Sequence, residues 1–263
     1  MNLSKGHLVI AGIFVLFVTV LLNFPANLAA GWIKRHADIP FEWQTIEGSI
    51  FSTDIYGLSI PTMSGNFLYI DQTSLNTSIF PLVFGNLISE IHIMTGDSEI
   101  IGESKLTFSE WKVSNLIGEL VFSDFTDSFS ELELFGITGK LILKSDFIMG
   151  NYKDLTDSEN VSLELFSLNC AMFNSPRPFG DYQMLLDSIS TQKISASITN
   201  LPGDNQLLIN SKLNFDKIDN KIRINGYAWL SDNADKSLSE LLFLLGKQEN
   251  NRTLINWETN TIF

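Results

Sequence analysis

The residues of this chain that could carry catalytic or metal chemistry are few and widely separated. The 263 residues include three histidines, His7, His36 and His92, and a single cysteine, Cys170. No histidine has a second histidine four residues away, the spacing that places two zinc ligands on one helix face. The sequence also has no Gly-x-Ser-x-Gly motif, phosphate-binding loop or glycine-rich dinucleotide fingerprint. It therefore predicts a protein that is not an enzyme and that uses no metal and no cofactor.

The polar residues that remain as candidates have simpler structural explanations. His92 falls in the alternating segment SEIHIM, which is typical of a surface strand residue rather than a general base. Cys170 lies in the apolar run LFSLNCAMF, which predicts a small buried side chain. Glu131 and Glu133 would share one face of a strand, and a solvated polar face accounts for them without acid–base catalysis. An exported enzyme with a site assembled from distant acidic residues stays open as a further possibility.

Composition and charge narrow the class of partner. The chain has thirty acidic and seventeen basic residues, for a net charge of −13. Such a charge repels a phosphate backbone, so we exclude nucleic acid as a partner. Hydrophobic residues make up 44% of the chain, charged residues make up 18%, and there are twenty phenylalanines. This composition supports a folded domain with a sizeable core rather than a disordered polymer.

From residue 40 onward, apolar residues recur at every second position, which is typical of strands with one buried face. The alternating segments are GLSIPTMSGNFLYID, NLISEIHIM, ITGKLILKS, NVSLELFSL, QKISASITNL, NQLLINSKLNF and NKIRINGYAWL. The connections PGDN and DKIDN have the composition of hairpin turns. Because no regular helix separates these segments, a parallel sheet with crossover helices is disfavoured. We expect a mainly β fold, in which an N-terminal transmembrane helix precedes an antiparallel, curved β-sheet domain with one or two short helices.

Two segments break the alternation. YQMLLDSIST, residues 182–191, could form one or two helical turns, and DKSLSELLFLLGK, residues 235–247, is a stronger helix candidate. In the second segment Ser237 is the expected N-cap, with Glu240 three residues later, and Gly246 is the expected C-cap. Its apolar face consists of Leu238, Leu241, Leu242 and Leu245. This face predicts a helix packed on the sheet, with a partner-binding helix as the alternative.

The N-terminus predicts a membrane anchor. Gly6 to Phe24 is a nearly unbroken apolar run of the length needed to cross a bilayer. The alternative is a cleaved signal peptide, but its best cleavage site, after Leu28-Ala29-Ala30, has a large residue at the −3 position. We therefore predict a short tail (1–5), a single-pass transmembrane anchor (6–24), a juxtamembrane segment (25–39) and an exported β-rich domain (40–263).

Several short motifs follow one another in an order that a known family shares. A Pro-Ala pair follows the anchor, then IEGSIF leads into the first strands, SIFPLVFGNLISEI comes next, and LLFLLGKQENNRTLINWE lies near the end. In this order the chain resembles the type II secretion system protein N family, also called general secretion pathway protein N. Phe51 stands where that family tends to have tryptophan. The residues that carry the resemblance are Pro25, Ala26, Gly48, Phe51, Pro81, Gly85, Leu241, Leu242, Leu245 and Gly246.

The resemblance implies a membrane-anchored accessory subunit of the bacterial type II protein secretion machinery, with residues 1–5 in the cytoplasm, the anchor 6–24 in the inner membrane and residues 40–263 in the periplasm. Such a protein would act by protein–protein interaction in the periplasm, with other inner-membrane subunits of the machine as partners. Elementary physical chemistry assigns structural roles to the motif residues: positive φ or a bulge at Gly48 and Gly85, a strand end or edge at Pro81, and core filling at Phe51. An exposed sheet edge could bind a partner strand.

A different class of function fits the same composition. A long curved sheet with many Phe, Leu and Ile side chains on one face could form an apolar groove for lipid. The two functions differ in where those side chains lie. A groove needs an apolar concave face that stays uncovered, whereas an ordinary core is closed by helices or by a second sheet.

Overall fold

The structure is a computed structural model. It describes residues 16, 19–20, 23–36, 40–62, 66–82, 84–151, 155–173, 175, 177–189, 193–216, 221–249 and 251–260. Of the predicted anchor, 6–24, most residues lie outside this set. Within the described residues, no helix combines the length and the apolar character that crossing a membrane requires.

The described residues form one antiparallel sheet of fifteen strands, and its spatial order follows the sequence almost throughout. The two departures are β8, which pairs with β7 beside β9, and β14, which lies outside β15 at the sheet edge. The strands are β1 (Thr45–Ser49), β2 (Ser52–Pro61), β3 (Phe67–Ser78), β4 (Leu87–Thr95), β5 (Ser98–Leu106), β6 (Glu110–Val121), β7 (Ile137–Asn151), β8 (Leu155–Glu159), β9 (Ser162–Cys170), β10 (Gly180–Ile189), β11 (Lys193–Asn200), β12 (Leu207–Asp216), β13 (Lys221–Leu230), β14 (Lys247–Glu249) and β15 (Arg252–Asn260). The expected mainly β, antiparallel fold is confirmed.

Helices are few and short in the described part of the chain. They are α1 (Ala26–His36), α2 (Ile79–Leu82), α3 (Ser130–Leu134) and α4 (Ser239–Leu245), with 3₁₀ turns at Phe122–Phe125, Ala171–Phe173 and Lys236–Leu238. The helical turn expected after residue 182 is wrong, because that segment belongs to β10. Glu131 and Glu133 lie exposed on α3, so their expected place on a strand face is also wrong.

The main closed core lies under the C-terminal strands. Its buried members come from β9, β12, β13, β15, α4 and their connections, and they are Cys170, Phe179, Leu207, Ala228, Leu238, Leu242 and Ile255. Leu241 and Leu245 pack against this cluster, so α4 covers the sheet as its leucine face predicted. Cys170 is buried there as expected, and its thiol donates a hydrogen bond to the carbonyl oxygen of Phe135 at 3.2 Å.

The helical segment that contains α4 begins earlier than predicted. Asp235, rather than Ser237, is the N-cap of the 3₁₀ turn that precedes α4, and its carboxylate accepts a hydrogen bond from the Ser237 amide at 3.0 Å. Gly246 ends α4 in an extended conformation that does not itself require glycine. Glycine is required there by crowding, because a Cβ atom would lie about 2.0 Å from the carbonyl oxygen of Leu254.

The cap makes one contribution to stability that depends on pH. The hydrogen bond from the Ser237 amide holds the pKa of Asp235 below its ordinary value. A carboxyl group whose pKa is lower in the folded state stabilises the fold above its unfolded pKa, and that stabilisation is lost as pH falls through the folded pKa. Asp235→Asn keeps a capping oxygen but does not titrate. We therefore expect its urea midpoint to fall less than that of the wild type between neutral and strongly acidic pH.

The matched control for this measurement is Asp232→Asn, an exposed position in the turn just before the cap. It should retain the acid sensitivity of the wild type. Equal acid sensitivity in Asp235→Asn and the wild type would show that the cap carboxylate does not contribute to the pH dependence of stability.

Candidate functional site

One face of the sheet carries an unbroken row of register partners that runs through thirteen strands, from β1 to β15. Each residue pairs with the next across neighbouring strands: Ile46, Ile55, Thr73, Ile93, Ile100, Gly118, Leu143, Leu163, Met184, Ile198, Ser211, Gly226 and Ile255. None is charged, and every one is buried or half-buried. We call this face the inner face.

The adjacent row of partners has the opposite character. It contains Glu47, Asp54, Ser74, His92, Ile101, Ile117, Lys144, Ser162, Leu185, Ser197, Lys212, Asn225 and Asn256. His92 lies in this row as a surface residue, with its Nε2 atom 2.6 Å from the Glu99 carboxylate. Because successive side chains in a strand point to opposite faces, the sheet has one polar outer face and one apolar inner face.

The N-terminal half of the inner face forms an open apolar groove of about 710 Å³. This volume lies within the range of small-molecule and cofactor sites. The sheet contributes Ile60, Leu68, Ile70, Ile93, Ile100 and Leu120, and the segment after β6 contributes Phe122, Phe125, Phe129 and Leu132. Among these ten apolar side chains only Ile70 is buried. The space between them is therefore not filled as a protein core is filled.

The segment 122–135, which we call the cover segment, is fastened to the sheet by polar contacts. The Asp124 carboxylate accepts hydrogen bonds from the Asp97 amide at 2.9 Å and from the Ser98 hydroxyl at 2.7 Å. Gly96, with φ of +53°, leaves room for that carboxylate, which a Cβ atom would approach to about 2.6 Å. The buried Ser128 hydroxyl accepts a hydrogen bond from the Tyr69 amide at 3.2 Å. These contacts hold the phenylalanines of the cover segment over one side of the groove.

The hydroxyl groups that line the groove are already engaged with the protein. Ser98 also accepts a hydrogen bond from the Val121 amide at 2.8 Å. Thr95 accepts one from the Asp71 amide at 3.0 Å and donates one to the Tyr69 carbonyl at 3.3 Å. Glu131, an exposed residue of α3, also borders the groove, whereas the Glu99 carboxylate lies on the outer face beside His92. The groove thus presents hydrocarbon walls.

The two ends of the inner face are closed to different degrees. In the C-terminal strands α4 seals a buried core, whereas in β2–β6 the cover segment leaves half-buried apolar walls. The expectation that the Leu-rich helix near residue 240 covers the sheet holds for the C-terminal strands. Within the described residues, no cluster of His, Cys, Asp and Glu is arranged to bind a metal ion.

The motif residues that suggested the secretion-system family fall into two separate groups. The first group is Pro25, Ala26, Gly48, Phe51, Pro81 and Gly85, which lie along the sheet end where β1 meets β2 and β3 meets β4. The second is Leu241, Leu242, Leu245 and Gly246, in and directly after α4. The structure therefore does not assemble these ten residues into one site.

Within the first group, the two glycines adopt positive φ, +86° at Gly48 and +74° at Gly85. Positive φ was expected for both because they lie near strand ends. Pro81 lies in the one-turn helix α2, three residues after β3 ends. Phe51 is half-buried in the turn between β1 and β2, so its expected role as a core residue is wrong.

Sequence reasoning missed the cover segment and therefore the groove. Its phenylalanines follow β6 at spacings of three and four residues, Phe122, Phe125 and Phe129, which is the spacing of one helical face. That spacing was a usable signal for an apolar segment folding back on the sheet. The alternation also predicts that the inner face of β2–β6 carries no charged residue. It does not predict that this face is incompletely covered.

Comparison with known proteins adds no further assignment: a scan against protein-family models, a search of curated proteins and a search of solved structures each returned no match.

Proposed function

We propose that this protein is a membrane-anchored, non-enzymatic binding protein that holds the hydrocarbon chain of a lipid in the groove between β2–β6 and the cover segment. The observation that carries the proposal is the 710 Å³ space walled by ten apolar side chains, nine of which are not buried. A water-exposed protein surface with such an apolar concavity usually binds a ligand or a partner there.

The chemistry of the walls selects the type of ligand. Thr95 and Ser98 direct their hydroxyl hydrogen bonds to the protein, so they add little polar recognition. Affinity must then come from burial of apolar surface, at about 0.8 kcal/mol for each methylene group. A long acyl chain meets this requirement. The apolar walls disfavour a charged ligand group inside the groove, because such a group would lose its hydration there.

The apolar N-terminal run and the family resemblance together suggest the proposed location. An uncleaved anchor at Gly6–Phe24 would hold the domain at a bacterial inner membrane, with residues 40–263 in the periplasm. A bilayer would then be a nearby source or acceptor of acyl chains. Helix α1 follows this anchor, carries the exposed side chains of Leu28 and Trp32, and contacts β1.

A second candidate function is that of an accessory subunit of a type II secretion machine, which the family resemblance implies. The structural observation that favours it is a partly open sheet edge. In the described part of the chain, β14 pairs only with Arg252–Leu254, so β15 has a single strand neighbour, β13, along Ile255–Glu258. Such an edge can accept a strand from another inner-membrane subunit.

Two neighbouring residues of β5 give a matched test of lipid binding. Ile100 faces the groove, and Ile101 is 48% exposed on the outer face. We expect Ile100→Glu to lower the amount of phospholipid that co-purifies per chain roughly tenfold, equivalent to about 1.4 kcal/mol. The physical reason is that a carboxylate in the wall must lose water when an acyl chain enters. Ile101→Glu should bind lipid as the wild type does.

The measurement is mass spectrometry of the lipids and proteins retained after cross-linking in cells and gentle detergent extraction. Thermal unfolding of both variants establishes that each is folded. Stoichiometric lipid that is lost in Ile100→Glu supports the proposal. Secretion subunits recovered without lipid, or lipid that is equally abundant in both variants, would contradict it and favour the second candidate.

A further inference from the structure

Three phenylalanines project from one end of the sheet with almost no protein around them. Phe80 is 86% exposed, Phe84 is 81% exposed and Phe108 is 94% exposed. Phe80 and Phe84 belong to the β3–β4 connection, and Phe108 belongs to the β5–β6 connection. We call these three residues the phenylalanine rim. Large apolar side chains exposed together on a folded domain usually mark a surface that another apolar phase covers.

The two loops that carry the rim are direct neighbours. Leu87 at the start of β4 pairs with Leu106 at the end of β5, so both connections leave the sheet at the same end. The ring of Phe108 lies against Gly85, where an added Cβ atom would be 3.1 Å from the ring. The rim is therefore a single patch formed from two adjacent connections.

The chain enters the described domain at this same end of the sheet. The Ile50 amide donates a hydrogen bond to the carbonyl oxygen of Phe24 at 3.1 Å, and Pro25 forms a bridge with Ser49. The next contact along the edge runs from the Thr77 amide to the carbonyl oxygen of Phe51 at 2.7 Å. Thr77 is the penultimate residue of β3, immediately before the loop of Phe80 and Phe84. The predicted anchor ends at Phe24, so it meets the domain beside the rim.

The charge distribution also favours a lipid surface. In a chain with a net charge of −13, residues 79–87 and 106–109 contain no charged residue. Directly inside the rim, Lys105 of β5 pairs with Lys112 of β6, which places two cations side by side. Acidic residues lie farther from the rim or beside it: Glu110 begins β6, Glu47 lies near the end of β1, and Glu90 of β4 pairs with Glu103 of β5. The uncharged apolar rim is suited to the acyl boundary of a bilayer. The two lysines behind it are suited to the layer of lipid phosphates.

We propose that the phenylalanine rim inserts into the interfacial region of the bilayer that holds the anchor, and so fixes the sheet end-on to the membrane. This inference rests on the proposed anchor but not on the ligand of the groove. The groove lies towards the other end of β4, where Ile93 and Thr95 line it, and β4 reaches the rim end at Leu87. The insertion would thus leave the groove and the cover segment away from the membrane surface.

The test uses the full chain in nanodiscs of phosphatidylethanolamine and phosphatidylglycerol. Environment-sensitive dyes are attached to Phe84→Cys and Phe108→Cys, with Asp97→Cys, in the turn at the opposite end of the sheet, as the matched control. The wild type, whose Cys170 is buried, measures background labelling. Quenching is measured with lipids that carry a spin label near the headgroup end of the acyl chain.

We expect blue-shifted emission and roughly several-fold stronger quenching at the two rim positions than at Asp97→Cys, because interfacial side chains reach about 5–10 Å into the boundary. Equal, water-like emission at all three positions would overturn the proposal and leave a protein partner as the alternative cover. Co-elution of the chain with nanodiscs tests the anchor separately. A chain that does not co-elute overturns both the anchor and the rim.

A second variant separates insertion of the rim from simple proximity to the anchor. A dye at Asn86→Cys reports on the rim loop while the three phenylalanines are changed together, Phe80→Ser, Phe84→Ser and Phe108→Ser. We expect quenching of this dye to fall to the level of Asp97→Cys. Unchanged quenching would show that the anchor alone brings the loop close to lipid, and the proposed insertion would be wrong.

Discussion

Replacing Leu238 with alanine is expected to lower the free energy of unfolding by about 3 kcal/mol, within the range observed for buried leucines. Leu238 is fully buried at the junction between the 3₁₀ turn and α4. It belongs to the core cluster in which Phe179, Leu207 and Ile255 also lie. Truncation removes its apolar contacts and leaves a cavity under the helix that closes this end of the inner face.

Leu244→Ala is the matched control, since Leu244 lies on the same helix but is 65% exposed. Its effect should stay within about 0.5 kcal/mol, as is usual at surface positions. The measurement is urea unfolding followed by circular dichroism, with the midpoint and the slope compared among the three proteins. Equal losses in the two variants would mean that α4 does not pack on the sheet as described.

Replacing Gln206 with leucine is expected to destabilise the fold by at least about 3 kcal/mol, because several buried polar groups lose their partners together. Gln206 is almost fully buried between β11 and β12. Its Nε2 atom donates to the Ser175 hydroxyl at 3.1 Å and to the carbonyl oxygens of Arg177 and Pro178 at 3.0 Å. Its Oε1 atom accepts a hydrogen bond from the Asp235 amide at 2.8 Å.

This one side chain therefore connects the loop before β10 to the cap of the helical segment that contains α4. Gln248→Leu, at an exposed position of β14, makes the same chemical change without breaking such a network. We expect its unfolding midpoint to stay close to that of the wild type. A Gln206→Leu protein as stable as the wild type would show that water or a neighbouring side chain satisfies these groups.

The strand pattern was predictable because it depends on local geometry. Successive side chains of a strand point to opposite faces, so segments such as NLISEIHIM reveal a strand and its buried face without any knowledge of its neighbours. Helix α4 was predictable for a similar reason, since Leu238, Leu241, Leu242 and Leu245 share one helix face. The burial of Cys170 followed from its apolar surroundings in the sequence.

The local errors have identifiable physical causes. The segment after Tyr182 was expected to be helical because apolar and polar residues do not alternate regularly in it. In the structure this irregularity coincides with a register shift between Leu186 and Ser188, where β10 pairs with β11. A bulge inserts one residue and changes which face later side chains occupy. The N-cap was assigned to Ser237 instead of Asp235 because a 3₁₀ turn extends the helical segment towards its N-terminus.

The sequence by itself determined the period-two strands, their antiparallel connection by short turns, the acidic surface and the leucine face of α4. Only the tertiary structure decided that one inner face runs through thirteen strands, that α4 closes it at one end, and that the cover segment leaves a groove at the other. Likewise, only the folded chain brings Phe84 and Phe108 together beside the end of the predicted anchor. The physical reason is that periodicity records which side of a strand is apolar, whereas what covers that side depends on contacts between residues far apart in the sequence.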